Sequence, residues 1–582
     1  MQNLTVIITF IIVSVIVGLI TFFKTKETAL ETSDGYFLGG RSLPAFVIAG
    51  SLLLTNLSSV NFVGMSEQAY NDNMCVMGWE VCSGITLVLV ALILLPRYLK
   101  QGITTIPQFI ESRFDKGTRE FVTVIFLAGY ILNMLPITLY SGAVAMSQIF
   151  NIPEMFHISY EQGIWAMVLV CGTMGAIYAV FGGLKAVAVS DTINGILLVI
   201  GGLMVPIFGI MFIGGGNFSA GLNQFFTTSP EKFSSIGGSN DYLPFSTLFT
   251  GLLIVNLYYW GTDQAIIQRG LGAKNLKEGQ KGIMIAGLLK IFTPLMLIVP
   301  GIIAFQIFGP DIENTQAVYP MVVNKVLPQP LVGIFASAMM GAILSTFDSV
   351  INSASTLFAL NIYKPRWGQN KTDAQLVVIG KKFGTIIAVL SIIGAPLIMY
   401  APKGLFDYFQ TINVFFDVPV FLIVFMGYFT KRVPAIAAKI GMVFFIVTYG
   451  SSQLFFHVSV HYYHVTALLF ATACLIMYVI GKIVPMDHDF VLEENNLVEV
   501  EPWENRYRFG GFVTFVMIAM YIVFSPAGIA SKRGFSSITV LYIGITAVCC
   551  LVVSLLLEKR QKRHTARRRL QQKKTKEISN PV

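Results

Sequence analysis

Apolar runs of about 20 residues, the length that crosses a bilayer core, recur along nearly the whole chain. They fall at 4–23, 44–70, 77–96, 119–150, 161–181, 188–214, 245–263, 282–308, 326–360, 378–400, 408–429, 434–456, 464–484, 508–525 and 536–557. The pattern predicts an all-α polytopic membrane protein of about 15 transmembrane helices. The first run, Leu4 to Phe23, has no basic segment ahead of it and is longer than a signal-peptide core, so it reads as a retained span. Lys24 and Lys26 follow it, which places the N-terminus outside. On that threading most of the 40 Lys and Arg fall in cytoplasmic segments, and an odd number of spans carries the basic tail to the cytoplasm.

Several runs are polar where lipid would penalise it. The stretch SLLLTNLSSVNFVGMSEQAY (Ser51–Tyr70) carries Thr55, Asn56, Ser58, Ser59 and Asn61 through its middle. GLLIVNLYYWGTDQAIIQRG carries Asn256, Tyr258, Tyr259, Trp260, Thr262 and Asp263. Such residues serve either as glue between helices or as the lining of a cavity at a broken helix. The two runs lie five spans apart, the spacing of an inverted five-helix repeat. Trp79, Glu80 and Ser83 share a face near the start of the third run, where Glu80 is either interfacial or functional. Lys290 lies about ten residues from either end of its run and needs a partner: Asp263 or Glu80 in a fixed pair, or a ligand. In the run 326–360, Ala342, Ser345, Thr346 and Ser349 form one stripe, suited to helix packing or to a hard monovalent cation. Asp348 beside it needs a cation, a proton or a base, and a second acid, Asp191, opens the span 188–214.

Composition agrees with this reading: 54% of the 582 residues are hydrophobic and 12% charged, against roughly 25% charged in a soluble protein. The net charge of +9 is mostly topological, and the basic tail suits anionic lipid better than nucleic acid. The six cysteines show no metal-type spacing, and His457, His461 and His464 read as loop residues at an outer edge. No Walker A, catalytic triad or zinc spacing is present, so an enzyme is not expected. No arginine falls inside the runs to clamp a carboxylate, which counts against acidic substrates. The tail is too short for a signalling domain.

The motifs YFLGGRSLPAF, LTNLSSVNFVGMS, NLYYWGTDQAIIQR, KGIMIAGLLK and FDSVINSASTLFALNIY are specific as a set. Through them the chain resembles the solute:sodium symporter family, most closely its bacterial sodium/galactose (sodium/glucose-type) branch, over about residues 36–485. The resemblance implies a LeuT-like core of ten helices in two inverted repeats, with extra spans at both ends. The implied division is 1–35, an extra span and linker; 36–214, the first repeat; 215–430, an outer loop and the second repeat; 431–557, peripheral spans; and 558–582, a basic cytoplasmic tail. It implies a sugar site of Asn56, Asn61, Glu80, Ser83, Asn256, Lys290 and Gln410. Asn61 stands where the branch has Gln. Met65 and Trp79 would form the outer gate, with Trp in place of Tyr, while Asp407 or Phe406 falls at the outer-gate Phe; Tyr259 would be the inner gate. Carbonyls of Leu54, Leu57 and Ala342 with hydroxyls of Ser345 and Thr346 would hold sodium, and Asp191, Asp348 and Ser349 a second cation or a shared proton. The expected function is sodium-coupled import of a monosaccharide-like sugar by alternating access in the bacterial inner membrane. The other expectation is sodium- or proton-coupled symport of a polyol, carboxylate or osmolyte. The expected partners are the small solute, Na+ and membrane lipid, with no nucleic acid and no obligate protein partner.

Overall fold

The computed structural model describes residues 2–25, 39–400, 405–456, 458, 460–492, 494–495, 497–531 and 534–579; the side chains of 178–188 and 191, of 2–3, 24–25, 39 and 405, and of 564–579 lie outside that description. Among the described residues every regular element is helical, apart from one isolated parallel bridge between Leu43 and Ala273. The helices that matter here are α1 (Gln2–Thr25), α2 (Ala45–Asn56), α3 (Ser59–Asn71), α4 (Met74–Gln101), α5 (Lys116–Ile149), α6 (Tyr160–Ile213), α7 (Gly251–Gly261), α8 (Gln264–Leu271), α9 (Leu276–Phe292), α10 (Pro294–Phe308), α11 (Gln329–Trp367), α12 (Asp373–Tyr400), α13 (Leu405–Phe429), α14 (Ala435–Leu454), α15 (Tyr462–Ile483), α16 (Arg506–Val523) and α17 (Ser537–Ser579). Eleven helices among the described residues are long and apolar enough to cross a membrane, or thirteen when each of two bent pairs counts as one span. The expected spans 161–181 and 188–214 fall in one stretch, α6, that is helical throughout. Both of its arms pack on α11, Gly175 against Phe347 and Gly201 against Phe335.

Three breaks shape the centre, and each has a local cause. α2 and α3 meet at 57°. No Gly or Pro stands at this break; instead Leu57 (φ −74, ψ 69) and Ser58 (φ −86, ψ 166) leave the helical region. Among the described residues the carbonyls of Leu54 and Leu57 lose their helical donors there, because the Ser58 N–H turns to Asn56 O (2.8 Å) and the Asn61 and Phe62 N–H groups to Ser58 O. Free carbonyls at membrane depth persist where they face a cavity rather than lipid. α7 and α8 are separated by Thr262 and Asp263, and the Asp263 carboxylate caps α8 by accepting the Ile266 N–H at 3.2 Å. The third break, unforeseen within the run 282–308, bends α9 from α10 by 42°. Pro294 has no N–H for the carbonyl four residues back, that of Lys290. Thr293 takes its place through its N–H, at 3.2 Å.

Small residues let the helices approach closely, as expected where hydrophobic burial does not drive association in lipid. α1 lies against α11, Gly333 packing on Thr9 and the Ser14 and Ser337 hydroxyls meeting at 2.9 Å. Arg113, on the short helix Ile106–Arg113, is buried and donates to the carbonyls of Gly427 (3.0 Å), Thr430 (3.1 Å) and Val433 (3.2 Å), so a cation caps the C-terminal end of α13. α17 packs on α16, Gly511 against Ser554, and turns Leu541, Val548 and Leu556 outward, as a lipid-facing helix does.

Candidate functional site

The breaks converge on one polar cavity between α2, α3, α4, α5, α7 and α13. Asn56, Asn61, Glu80, Ser83, Asn256 and Gln410 all line it, six of the seven side chains expected for a solute, and Lys290 stands directly behind Glu80. The lysine ammonium donates to Glu80 Oε2 and Asn56 Oδ1, and the Thr293 hydroxyl donates to the same Glu80 oxygen. Asn61 donates to Glu80 Oε1 at 3.2 Å and accepts from the Ser58 hydroxyl at 3.0 Å. The partner of Lys290 is therefore Glu80, not Asp263, which is turned toward the phenols of Tyr130 and Tyr258. The α9–α10 bend explains the choice: Lys290 and Thr293 both project at the kink, against the start of α4.

A second chain of hydrogen bonds fixes the opposite wall. Trp260 Nε1 donates to Ser83 Oγ (2.9 Å), which donates to Asn256 Oδ1 (3.0 Å), while Asn256 Nδ2 binds Leu252 O (3.1 Å). Asn133 Nδ2 of α5 donates to Asn413 Oδ1 of α13 (2.9 Å), and Asn413 Nδ2 to Gln410 Oε1 (3.2 Å). Thr293, Asn133, Asn413 and Asp417 are contributors that the sequence did not single out, and Trp260 was marked only as part of a polar run. Pro294 was a usable signal for Thr293; Asn413 and Asp417 share α13 at i, i+4, but nothing in the sequence ties them to Asn133 on α5 or Trp260 on α7.

Aromatic rings close both ends of the cavity. Trp79 and Phe406 meet edge-on at 5.3 Å, with Tyr463 5.3 Å from Trp79 on its other side, and Met65 lines the same end. Of the two neighbours Phe406 and Asp407, the phenylalanine lines the cavity and the aspartate does not. At the other end the Tyr259 hydroxyl accepts from Asn56 Nδ2 at 3.1 Å, and its ring stands perpendicular to Trp260 at 5.1 Å.

The oxygens expected for sodium lie where α2 ends against α11. The Thr346 hydroxyl donates to Thr55 O at 3.0 Å, Ala342 is fully buried, and Ser345 Oγ is buried with no hydrogen-bond partner among the described residues. With the carbonyls of Leu54 and Leu57, which lose their helical donors at the break, these are neutral hard oxygens, the donor set a dehydrated monovalent cation takes in place of water. One turn further along α11, Ser349 donates to Ser345 O at 2.6 Å and accepts from Arg269. The Arg269 guanidinium, fully buried, also donates to Ser51 (3.1 Å) and Thr55 (2.8 Å). An arginine therefore does enter the interior. The apolar run ended at 263, but the chain continues inside the bundle as α8. Arg269 does not line the solute cavity. Asp191, expected beside Asp348 and Ser349, has its side chain outside the described residues.

At the outer edge His461 caps α15 and His464 bonds Ser246 and Thr250, each at 3.0 Å, so these two are engaged in local structure; His457 lies outside the described residues. Cys75 lies beside Asp72 and Asp241, a grouping made by the outer loop and invisible in cysteine spacing. Its oxygens are taken by Asn73, by the N–H of Tyr242 (2.9 Å) and by that of Gly238 (2.8 Å).

Comparison with known proteins supplies the context for this geometry. The model of the sodium:solute symporter family matches residues 36–444. An uncharacterized symporter, YidK, of Escherichia coli is 43% identical over 563 residues, spanning 97% of this chain and 98% of that one. The sodium/glucose cotransporter of Vibrio parahaemolyticus is 31% identical over 456 residues, 74% of this chain and 82% of that one. The human sodium/myo-inositol cotransporter is 28% identical over 460 residues, 72% and 62% of the two chains. Among solved structures, a Na+-coupled sialic acid symporter in a substrate-bound outward-open state superposes with a TM-score of 0.72 at 22% identity, covering 85% of this chain and 99% of that one. Mhp1, a nucleobase-cation-symport-1 family transporter, gives 0.51 at 14% identity, covering 77% and 95%. These likenesses show the LeuT-like fold.

Proposed function

Since the chain belongs to the sodium:solute symporter family, a family of transporters rather than enzymes, we propose that it imports a neutral, monosaccharide-like sugar coupled to sodium by alternating access. The observation that carries the reading is the composition of the cavity wall. Glu80 accepts, Ser83 both donates and accepts, and the amides Asn56, Asn61, Asn256 and Gln410 do both, while Trp79, Phe406, Tyr259 and Trp260 supply flat apolar faces. That mixture suits a ring of hydroxyls above an apolar ring face. A carboxylate substrate is disfavoured because the one ammonium nearby, Lys290, is already held by Glu80 and Asn56. A polyol remains the second reading, favoured by the myo-inositol relative.

Sodium binds, in this proposal, between the Leu54 and Leu57 carbonyls of the broken helix and Ala342, Ser345 and Thr346 of α11. The protein sits in the bacterial inner membrane, N-terminus outside and basic tail in the cytoplasm, as the charge distribution favours. The test is uptake of labelled glucose, galactose and myo-inositol into liposomes holding the purified protein, with an inward sodium gradient and with potassium in its place. Uptake of glucose or galactose that requires the sodium gradient supports the reading; sodium-dependent uptake of myo-inositol alone establishes the polyol reading instead, and uptake indifferent to sodium, or of none of them, overturns both.

For the second cation we propose that the Arg269 guanidinium against Ser349 fills the role, so that one sodium moves per sugar. A sodium ion there would stand against a fixed positive charge in a dry interior, where repulsion is little screened. A sodium-to-sugar flux ratio of one is expected in the wild type and in Asp348→Ala. A ratio of two that falls to one in the variant establishes a second sodium instead.

A further inference from the structure

Next to the solute cavity, on the side away from Met65, Trp79 and Phe406, a second chamber shares Tyr259, Asn413 and Asp417 with it. Besides Tyr259, four ionisable groups from three directions meet in this chamber: Tyr130 of α5, Tyr258 of α7, Asp263 at the α7–α8 break and Asp417 of α13. Under the proposed orientation it lies toward the cytoplasm, behind the Tyr259 floor. No Lys, Arg or His among the described residues lines either chamber. The nearest buried bases are engaged elsewhere, Lys290 with Glu80 and Asn56, and Arg269 with Ser51, Thr55 and Ser349.

The hydrogen inventory decides what this chamber holds. A carboxylate only accepts, and a phenol has a single proton to give. Asp263 receives the Tyr130 hydroxyl at 3.2 Å, the Tyr258 hydroxyl at 3.3 Å and the Ile266 N–H at 3.2 Å, while the Tyr130 oxygen accepts the Ala265 N–H at 3.1 Å. Asp417 lines the same chamber wall as the Tyr258 hydroxyl. With both acids ionised, two like charges share a chamber that no cationic side chain among the described residues lines, and the Tyr258 proton can serve only one of them. With one proton on Asp417, its O–H donates to the Tyr258 oxygen, Tyr258 donates to Asp263, and Asp263 stays ionised with its full set of donors. A single proton satisfies every group.

We propose that Asp263, Tyr258 and Asp417 form a proton-binding site that holds one proton while the floor of the solute cavity is closed, and releases it when opening at Tyr259 admits water. The role in opening rests on the transport reading above; the binding of the proton does not. Carboxyl titration here belongs to the pair rather than to either residue.

The test is infrared difference spectroscopy of the purified full-length protein at neutral pH without any sugar, wild type against Asp417→Asn, in potassium chloride. A protonated carboxyl C=O band present in the wild type and lost in the variant is expected. In Tyr258→Phe, which removes the bridging oxygen and leaves the shape, that band should shift to the frequency of a carboxyl without its acceptor. No band lost in Asp417→Asn, or a band unmoved in Tyr258→Phe, overturns the proposal. So does a band that vanishes when sodium chloride replaces potassium chloride, since the site then takes sodium rather than a proton. None of these readouts depends on sugar transport, so failure of the proton site is distinguishable from failure of the transport reading.

Discussion

Replacing Lys290 by Met is expected to abolish sodium-driven uptake and to destabilise the protein by about 3–5 kcal/mol, because it strands the Glu80 carboxylate in the interior. Glu80 is 2% exposed and Lys290 fully buried. Without the ammonium, the acid keeps only the Thr293 hydroxyl and the Asn61 amide. Glu80→Gln strands the lysine in the same way and should cost a similar amount. Loss of uptake in either single variant therefore says little by itself. The decisive variant is the double one, Glu80→Gln with Lys290→Met. Exchanging a whole buried pair for neutral groups of similar volume is often neutral or stabilising. The thermal midpoint of the purified double variant should return to near that of the wild type, while uptake stays absent. That outcome means Glu80 contacts the solute as well as bracing α4 against α9 through Lys290. Recovery of uptake together with stability would make the pair structural only.

How much of this site could be read in advance depends on how each residue announces itself. The α2–α3 break was legible because Thr55, Asn56, Ser58, Ser59 and Asn61 are misplaced in an apolar run, and the structure opens the helix among them. The stripe of Ser345 and Thr346 was legible because a helix displays its own period. The partner of Lys290 was legible only as one of two, Asp263 or Glu80, since Glu80 lies 210 residues away and the α9–α10 bend aims the ammonium at it. Pro294 did mark that bend, but hydropathy continues unbroken across it. Arg269 was hidden by its position beyond the end of an apolar run, although α8 stays buried past the break. Asp417 was masked in the other direction: one carboxyl in the aromatic run 408–429 barely lowers its hydropathy, and its meaning depends on Tyr258 and Asp263, which the fold brings to it.

Replacing Ser345 and Thr346 together with Ala is expected to raise the sodium concentration for half-maximal uptake tenfold or more, about 1.4 kcal/mol of lost binding. Ser345 Oγ is buried with no hydrogen-bond partner among the described residues, so its removal costs the empty protein little. Its loss should register only when an ion is bound. Thr346 does hold a partner, Thr55 O at 3.0 Å, and that bond ties the end of α2 to α11. Its loss costs the fold about 1 kcal/mol. Thr346→Ser alone keeps the hydroxyl and should leave sodium dependence near the wild-type value, which separates lost ligation from lost packing. The geometry also sets how the defect should reach the sugar. Asn56 lies between the carbonyls of Leu54 and Leu57, and its side chain binds both Lys290 and the Tyr259 hydroxyl. An ion that pins those carbonyls to α11 fixes the one residue that touches the solute wall and the floor together. Sodium and solute then favour the same arrangement, and each must raise the affinity of the other by the same factor. In the double Ala variant the apparent affinity for the transported sugar should accordingly become insensitive to sodium across the range that saturates the wild type. A double variant with unchanged sodium dependence would remove the ion from this place in the fold.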